Sequence, residues 1–406
     1  MSGDDGRPAG EGAGEVLAVF GRLGVTSFGG PVAHLGYFRT ELVTRRRWLG
    51  EQDYGDLVAL SQFLPGPASS QVAFALGLRR AGAAGALAAF VAFTAPSAAV
   101  MVLAALVAGT GATAGPVGQG LVHGLELVAV AVVAQAVLGM SRTLAAGPAR
   151  AGIAAASLVL ALTVPAPWGQ LAAIAAGGLL GLMLLRDAPA PVAEDGRSYR
   201  VPRSVGIACL AAFAALLILL PAAAGATGSG ALLLFDACYR AGALVFGGGH
   251  VVLPLLEAGF VAPGWVGAEQ FVAGYGVAQA VPGPLFTFAG YLGALSEVGP
   301  GGAAGAAIGL AGIFLPGFLL LTGVLPFWSA LRRRRWTGPL VAGLGAAVVG
   351  LLAAALYNPV FVTAVDSGSA LALAVVCFVL LVVGRAPAWT VVLIAAAGGM
   401  LLQLGR

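Results

Sequence analysis

Long apolar runs alternate with short polar stretches along almost the whole chain. Residues 16–44, 51–79, 82–110, 116–141, 150–165 and 168–185 form one apolar series. A polar loop at 187–203 and a further apolar segment at 204–226 precede a second series. Runs of this length with so few charges predict membrane-crossing helices. The first two do not fit a single crossing. Each holds 29 residues, about 43 Å as a straight helix at 1.5 Å per residue. The hydrocarbon core is about 30 Å thick, so each is long for one passage and short for two.

Both are also broken. Phe28-Gly29-Gly30-Pro31 interrupts the first, and Gln62-Phe63-Leu64-Pro65-Gly66-Pro67 interrupts the second. Pro-Gly-Pro cannot continue a helix: two amide hydrogens are missing, and the residue before each proline is pushed out of the α region. Within hydrocarbon no water replaces the lost bonds, so protein or a wet cavity must cover the break. Half-helices that enter, turn at the break and return satisfy both the length and the interruption.

The pattern then repeats. Trp48–Pro67 (WLGEQDYGDLVALSQFLPGP) aligns without gaps with Trp265–Pro284 (WVGAEQFVAGYGVAQAVPGP) at an offset of 217. Arg22-x-Gly-x3-Phe-Gly-Gly aligns with Arg240-x-Gly-x3-Phe-Gly-Gly at an offset of 218, and Pro96 corresponds to Pro316. The expected organisation is a disordered tail over 1–15, a first repeat over 16–186, a loop plus linking helix over 187–232, and a second repeat over 233–403. An even number of crossings per repeat plus one linking helix turns the second repeat upside down. The predicted fold class is therefore an all-α polytopic membrane protein with two inverted repeats. Each has two broken or re-entrant helical hairpins plus ordinary transmembrane helices. Four breaks in matched pairs place a binding site near the midplane, as in many secondary transporters.

Composition excludes the soluble classes. The 406 residues are 59% hydrophobic and 9% charged, with a mean hydropathy of +0.95, against about 25% charged in soluble domains. Arginine placement supports the hairpins. If both broken segments of each repeat turn back, Arg39, Arg45–Arg47, Arg79–Arg80, Arg142–Arg150, Arg186–Arg203, Arg332–Arg335 and Arg385 share one side. That side is then the cytoplasmic one. If every segment crosses, Arg39 and Arg45–Arg47 fall on the opposite face. The three cysteines are scattered in apolar segments, which gives no disulfide framework and no metal site. The polar start lacks the basic-then-apolar order of a signal peptide.

Arg22 and Arg240 occupy matched places within apolar segments. An intramembrane arginine marks a counter-ion or a substrate path, and its fork of donors suits an oxyanion. Two of them could neutralise a dianion; alternatively each snorkels to an interface, or Arg240 pairs with Asp236 one turn earlier. Half-helices beginning after the breaks present free N–H groups to anions. There Ser69, Ser70, Gln71 and Thr287 either bind substrate oxygens or cap the backbone. Gln62 and Gln279 precede the two Pro-Gly-Pro runs and either touch substrate or bond to unwound backbone. His34 and His250 follow the Gly-Gly breaks, and His34 is a candidate for proton coupling. Glu126, with His123 one turn before it, is the second coupling candidate, as a carboxylate inside an ordinary span.

Ser27–Gly77, which carries SFGGP and QFLPGP, resembles the chromate ion transporter family, as do Phe246–Glu257 (FGGGHVVLPLLE) and Val277–Gly293 (VAQAVPGPLFTFAGYLG). The resemblance implies a duplicated, inverted-repeat carrier that exports chromate, draws on the proton-motive force and confers chromate resistance. Sulfate is the look-alike substrate. It implies signature roles for Phe28, Gly29, Gly30, Pro31, Gln62, Pro65, Gly66 and Pro67. In the second unit it implies them for Phe246, Gly247, Gly248, Pro282, Gly283 and Pro284. There Gly249-His250 stands where the first unit has Pro31-Val32. The expected place is a bacterial cytoplasmic membrane, and the expected partners are chromate or sulfate, protons and the lipid bilayer. Small-residue faces fit either packing within the chain or a homodimer. No cofactor, catalytic group, metal or nucleic acid is expected. The rival readings are a sulfate importer, a carrier or flippase for anionic lipid headgroups, and a passive anion channel.

Overall fold

The computed structural model describes residues 9–27, 30–109, 115–165, 168–186, 201–246, 251–331 and 334–404. Every regular element among them is helical. The first unit comprises α1 (Ala9–Thr26), α2 (Gly30–Phe38, continued by a π-helical turn over Arg39–Arg45), α3 (Glu51–Phe63), α4 (Ala68–Gly109), α5 (Pro116–Leu144), α6 (Pro148–Thr163) and α7 (Trp168–Leu184). The linking helix is α8 (Arg203–Thr227). The second unit comprises α9 (Gly230–Leu244), α10 (Val252–Phe260), α11 (Ala268–Ala280), α12 (Phe288–Leu295), α13 (Gly302–Val324), α14 (Trp328–Leu331), α15 (Thr337–Ala355), α16 (Val362–Ala364), α17 (Gly368–Val382) and α18 (Ala388–Leu404). Five of these stretches, α8 among them, are long and apolar enough to cross a membrane.

The broken segments turn back. After α1 the chain returns along it. His34 Nε2 lies 3.1 Å from the Ser27 carbonyl, the Phe20 and Phe38 rings are 5.6 Å apart, and Arg46 reaches Glu15 at 3.7 Å. The second hairpin closes the same way: α3 enters, the chain turns over Leu64–Pro67, and Arg79 at the far end of the return meets Asp53 at 2.7 Å. The feet of the two hairpins lie side by side, since Arg80 binds Glu15 at 2.8 Å and sits 5.3 Å over the Trp48 ring. Long polar side chains are held at this end because water and headgroups solvate them there. Around Ala81 and Gly82 the dihedrals of α4 leave the helical region. This is the corner from which the rest of α4 sets out. The second unit repeats the design: Tyr291 donates to the Gln270 carbonyl at 3.0 Å across α11 and α12, and the Glu297 amide donates to the Trp265 carbonyl at 3.1 Å.

The units exchange parts at two levels. Met101 and Ala105, late in α4, are buried with Phe260, Phe271 and Phe288 of the second unit's hairpins. Leu321, Leu325 and Trp328, late in and after α13, are buried with Phe20, Phe38 and Leu57 of the first unit's. The Phe74 and Phe318 rings stack 4.5 Å apart across this boundary. Among the remaining helices α5 packs on α17 and α18, whereas α15 packs on α6 and α7. Close backbone approach makes these seams. A side chain at Gly124 would run into the Ala395 backbone, and one at Gly343 into Gly177 and Gly181. In lipid no hydrophobic force drives helices together, so such close van der Waals contact does. At these positions the small-residue faces noted in the sequence close within one chain. The linking helix α8 lies outside, against α13 and α9, anchored by Tyr239 donating to the Phe213 carbonyl at 3.1 Å.

Candidate functional site

The two Pro-Gly-Pro turns lie inside the protein, and each is stitched by a backbone bond to the other unit. The Gly66 amide donates to the Val245 carbonyl at 2.8 Å, and the Gly283 amide donates to the Ser27 carbonyl at 3.0 Å. The two bonds are images of each other under the repeat: each Pro-Gly-Pro turn binds the residue just ahead of the other unit's Phe-Gly-Gly sequence. Both glycines hold positive φ, +119° and +104°, a region that side-chain-bearing residues rarely adopt. Each turn also rests on the other unit's proline-containing helix. A Cβ on Gly66 would lie 3.0 Å from Gly317 Cα, and one on Gly283 would lie 2.8 Å from Ser97 Oγ.

The surroundings of this joint are not symmetric. On the first unit's side Ser27, His34, Ser69, Ser70, Gln71, Thr94 and Ser97 are all at most 4% exposed. His34 Nδ1 lies 3.3 Å from Ser69 Oγ. Gln71 Nε2 donates to the carbonyls of Pro65 at 2.9 Å and Gly317 at 3.0 Å. Ser97 Oγ donates to the Thr94 carbonyl at 3.0 Å. Four polar atoms here have no hydrogen-bond partner among the described residues: Ser27 Oγ, Ser70 Oγ, Gln71 Oε1 and Thr94 Oγ1. An orphaned buried polar atom is costly, so its presence calls for a reason. At the corresponding places in the second unit stand Val245, Val252, Phe286, Thr287, Phe288, Phe314 and Gly317. The Thr287 hydroxyl is occupied by the Pro284 carbonyl at 2.9 Å, so it caps the turn.

The other sequence candidates scatter. Arg22 lies on an exposed face of α1 and makes no ion pair among the described residues. Arg240 pairs with the buried Asp236 at 2.7 Å, and the position matching Asp236 in the first unit is Ala18. The matched arginines thus have different environments. Arg22→Gln is expected to shift stability by no more than about 0.5 kcal/mol. Arg240→Gln strands the Asp236 carboxylate and is expected to cost about 1–3 kcal/mol. That is less than a fully dry pair because the guanidinium is partly wet. Thermal unfolding of the purified variants checks both.

Gln62 is exposed. Gln279 keeps a buried Nε2 without a partner among the described residues. Gly30 holds φ +77° where α2 begins. Pro65, Pro67, Pro282 and Pro284 shape the two turns, and Phe246 is half-buried beside Val245. Phe28, Gly29, Gly247, Gly248 and His250 lie outside the described residues. Glu126 is buried on α5, far along the chain from the joint, in the field of Glu269 and Asp366. His123 faces Asp366 at 3.8 Å. No group of three or more potential metal ligands occurs among the described residues.

A cleft of about 750 Å³ opens at the hairpin feet, lined by Arg47, Trp48, Glu51, Asp53 and Arg79 among others. Two further ion pairs stand at the hairpin feet. Arg39 binds Glu51 through two bonds of 2.8 and 2.9 Å, and Arg46 binds Glu41 at 2.7 Å. The guanidinium hydrogen bonds hold both carboxyls below their usual range. These pairs therefore persist at neutral pH and open only as pH falls through those lowered values.

What sequence reasoning missed is Ser27, Thr94 and Ser97 as members of one cluster. The available signal was a set of small hydroxyls flanking breaks and Pro96 in otherwise apolar runs. No solved structure matches this chain. A family model described as "Chromate transporter" matches residues 14–182 and again 232–400. A chromate transport protein of Cupriavidus metallidurans is 29% identical over 353 residues, covering 84% of this chain and 81% of that one. A chromate transport protein of Pseudomonas aeruginosa is 26% identical over 350 residues, covering 86% and 82%. An uncharacterized transporter of Methanocaldococcus jannaschii is 25% identical over 375 residues, covering 90% and 89%. With both halves matched by one family model and the same joint built twice from the matched segments, the chain belongs to the chromate transporter family.

Proposed function

We propose that this protein exports chromate across the bacterial cytoplasmic membrane, draws on the proton-motive force, and so confers chromate resistance. The observation that carries the reading is the joint of the two Pro-Gly-Pro turns, where reciprocal backbone bonds unite the units beside buried polar side chains without partners among the described residues. Relatives named chromate transport proteins supply the substrate. Access alternates as one unit's hairpin pair rocks against the other's, making and breaking contact around the joint. In this reading the two units, 16–186 and 233–403, are inverted, and its support is that α4 and α13 each start in their own unit's hairpin cluster and finish in the other's.

Two measurements test this. Proteoliposomes with an imposed pH gradient and membrane potential are expected to move labelled chromate, with sulfate tried as competitor. Absence of chromate movement under every gradient refutes the transport reading, and uptake of sulfate alone favours an importer. Single cysteines in a cysteine-free background test the inversion. Gly50→Cys and Gly82→Cys are expected to label from one side, and Gly264→Cys and Gly299→Cys from the other. Labelling of all four from one side rules the inversion out.

A further inference from the structure

The joint's polar half has a donor and acceptor count of its own. Three of its partnerless atoms are hydroxyl oxygens, on Ser27, Ser70 and Thr94, and each can rotate a hydrogen toward an anion. The fourth, Gln71 Oε1, is an acceptor and nothing else. Its assignment follows from the bonds around it. The amide nitrogen faces two carbonyls, Pro65 and Gly317, and a flipped amide would set oxygen against oxygen at both. Beside these side chains, α4 begins. Its first-turn amides at Ala68, Ser69 and Ser70 precede the first bond back to the Pro67 carbonyl, and such amides attract negative charge.

We propose that the carried oxyanion binds on the first unit's side of the joint alone, held by neutral donors, in its singly protonated form. A tetrahedral oxyanion with one proton offers three acceptor oxygens and one donor. Ser27, Ser70 and Thr94 supply the complementary donors, and Gln71 Oε1 takes the proton-bearing oxygen. A fully ionised anion has no donor for Gln71 and meets its lone pairs instead. The site therefore discriminates by protonation, rejecting an oxyanion of a strong acid and accepting one whose last proton leaves near neutral pH. The second unit offers no matching set of free donors: Phe286, Phe288 and Phe314 occupy the positions that correspond to Ser69, Gln71 and Thr94. The bound species carries one charge, so an inside-negative potential drives it outward. This inference rests on the oxyanion-transport reading and specifies its site.

Equilibrium binding of labelled chromate to the purified full chain tests it apart from transport. Ser70→Ala and Thr94→Val are each expected to raise Kd about tenfold or more, as for loss of a hydrogen bond to a charged group. Neither is expected to lower the unfolding temperature, because the deleted hydroxyls have no partner among the described residues. Phe286→Leu and Phe314→Leu are expected to change Kd less than threefold. His34 is a titratable side chain beside these donors; across pH 6–8 the Kd of the wild type and of His34→Gln is expected to stay constant when expressed in the singly protonated ion. Unchanged Kd in both hydroxyl variants, or a Kd constant in the doubly charged ion, overturns the proposal. Binding without movement in proteoliposomes counts against the transport reading alone, and absence of binding overturns both.

Discussion

Gly66→Val combined with Gly283→Val is expected to abolish chromate movement, with at least a hundredfold loss of rate in proteoliposomes. Both glycines sit at positive φ, +119° and +104°. Holding a side-chain-bearing residue in such a region costs about 1–3 kcal/mol. Valine adds bulk where none fits, since a Cβ would already lie 3.0 Å from Gly317 Cα at one site and 2.8 Å from Ser97 Oγ at the other. Relief requires each turn to back away, which lengthens the Gly66–Val245 and Gly283–Ser27 backbone bonds together. In a water-poor interior the freed amides and carbonyls find no substitute. Single variants separate the effects. Gly66→Val disturbs the Gln71 tether directly, whereas Gly283→Val acts through Ser97. Equal transport in the double variant and the unaltered protein would show that the joint has no part in the cycle.

The second large effect concerns assembly and not transport. Gly124→Leu and Gly343→Leu are each expected to destabilise the protein by about 3–5 kcal/mol, read as loss of monodisperse protein after detergent extraction. Overpacking in an ordinary core costs about 1–3 kcal/mol because side chains can shift. Here the obstacles are backbone atoms of the facing helix, Ala395 and Ala396 for Gly124, Gly177 and Gly181 for Gly343. Backbone cannot repack, so the helices must separate and forfeit the contact that holds them. Because α5 pairs with α18 and α15 with α7, either substitution loosens the attachment between units. A conservative Gly→Ala at the same sites should fall between, since its one added carbon still meets backbone. Normal extraction of both leucine variants would mean that the exchanged helices do not hold the units together.

Much of the architecture could be read from the chain. Segments of 29 residues with a central Pro-Gly-Pro or Gly-Gly have few stable arrangements in lipid, and the duplicated WLGEQDYGDLVALSQFLPGP pattern shows that the arrangement occurs twice. Arginine placement argued for turning back, and the pairing of Arg79 with Asp53 and of Arg80 with Glu15 displays it. The matched arginines were less informative. Duplication placed Arg22 and Arg240 at equivalent positions, but only one has an acid a turn away. Charge inside a membrane segment draws the eye, whereas serine and threonine scattered through apolar helices do not. Yet Ser27, Ser70 and Thr94 are the groups left without partners at the joint.

The sequence by itself determined the helical class, the duplication, the four breaks and the need to cover them, because backbone hydrogen bonding in lipid is local and unforgiving. Only the tertiary structure decided which carbonyl each Pro-Gly-Pro turn binds, that α5 and α15 cross over to the other unit, and that one side of the joint is polar and the other aromatic. Those facts depend on contacts between residues more than 150 positions apart, such as Gly66 with Val245 and Gly283 with Ser27. Periodicity and propensity report the neighbours along a helix; they are silent about which distant carbonyl an amide will find.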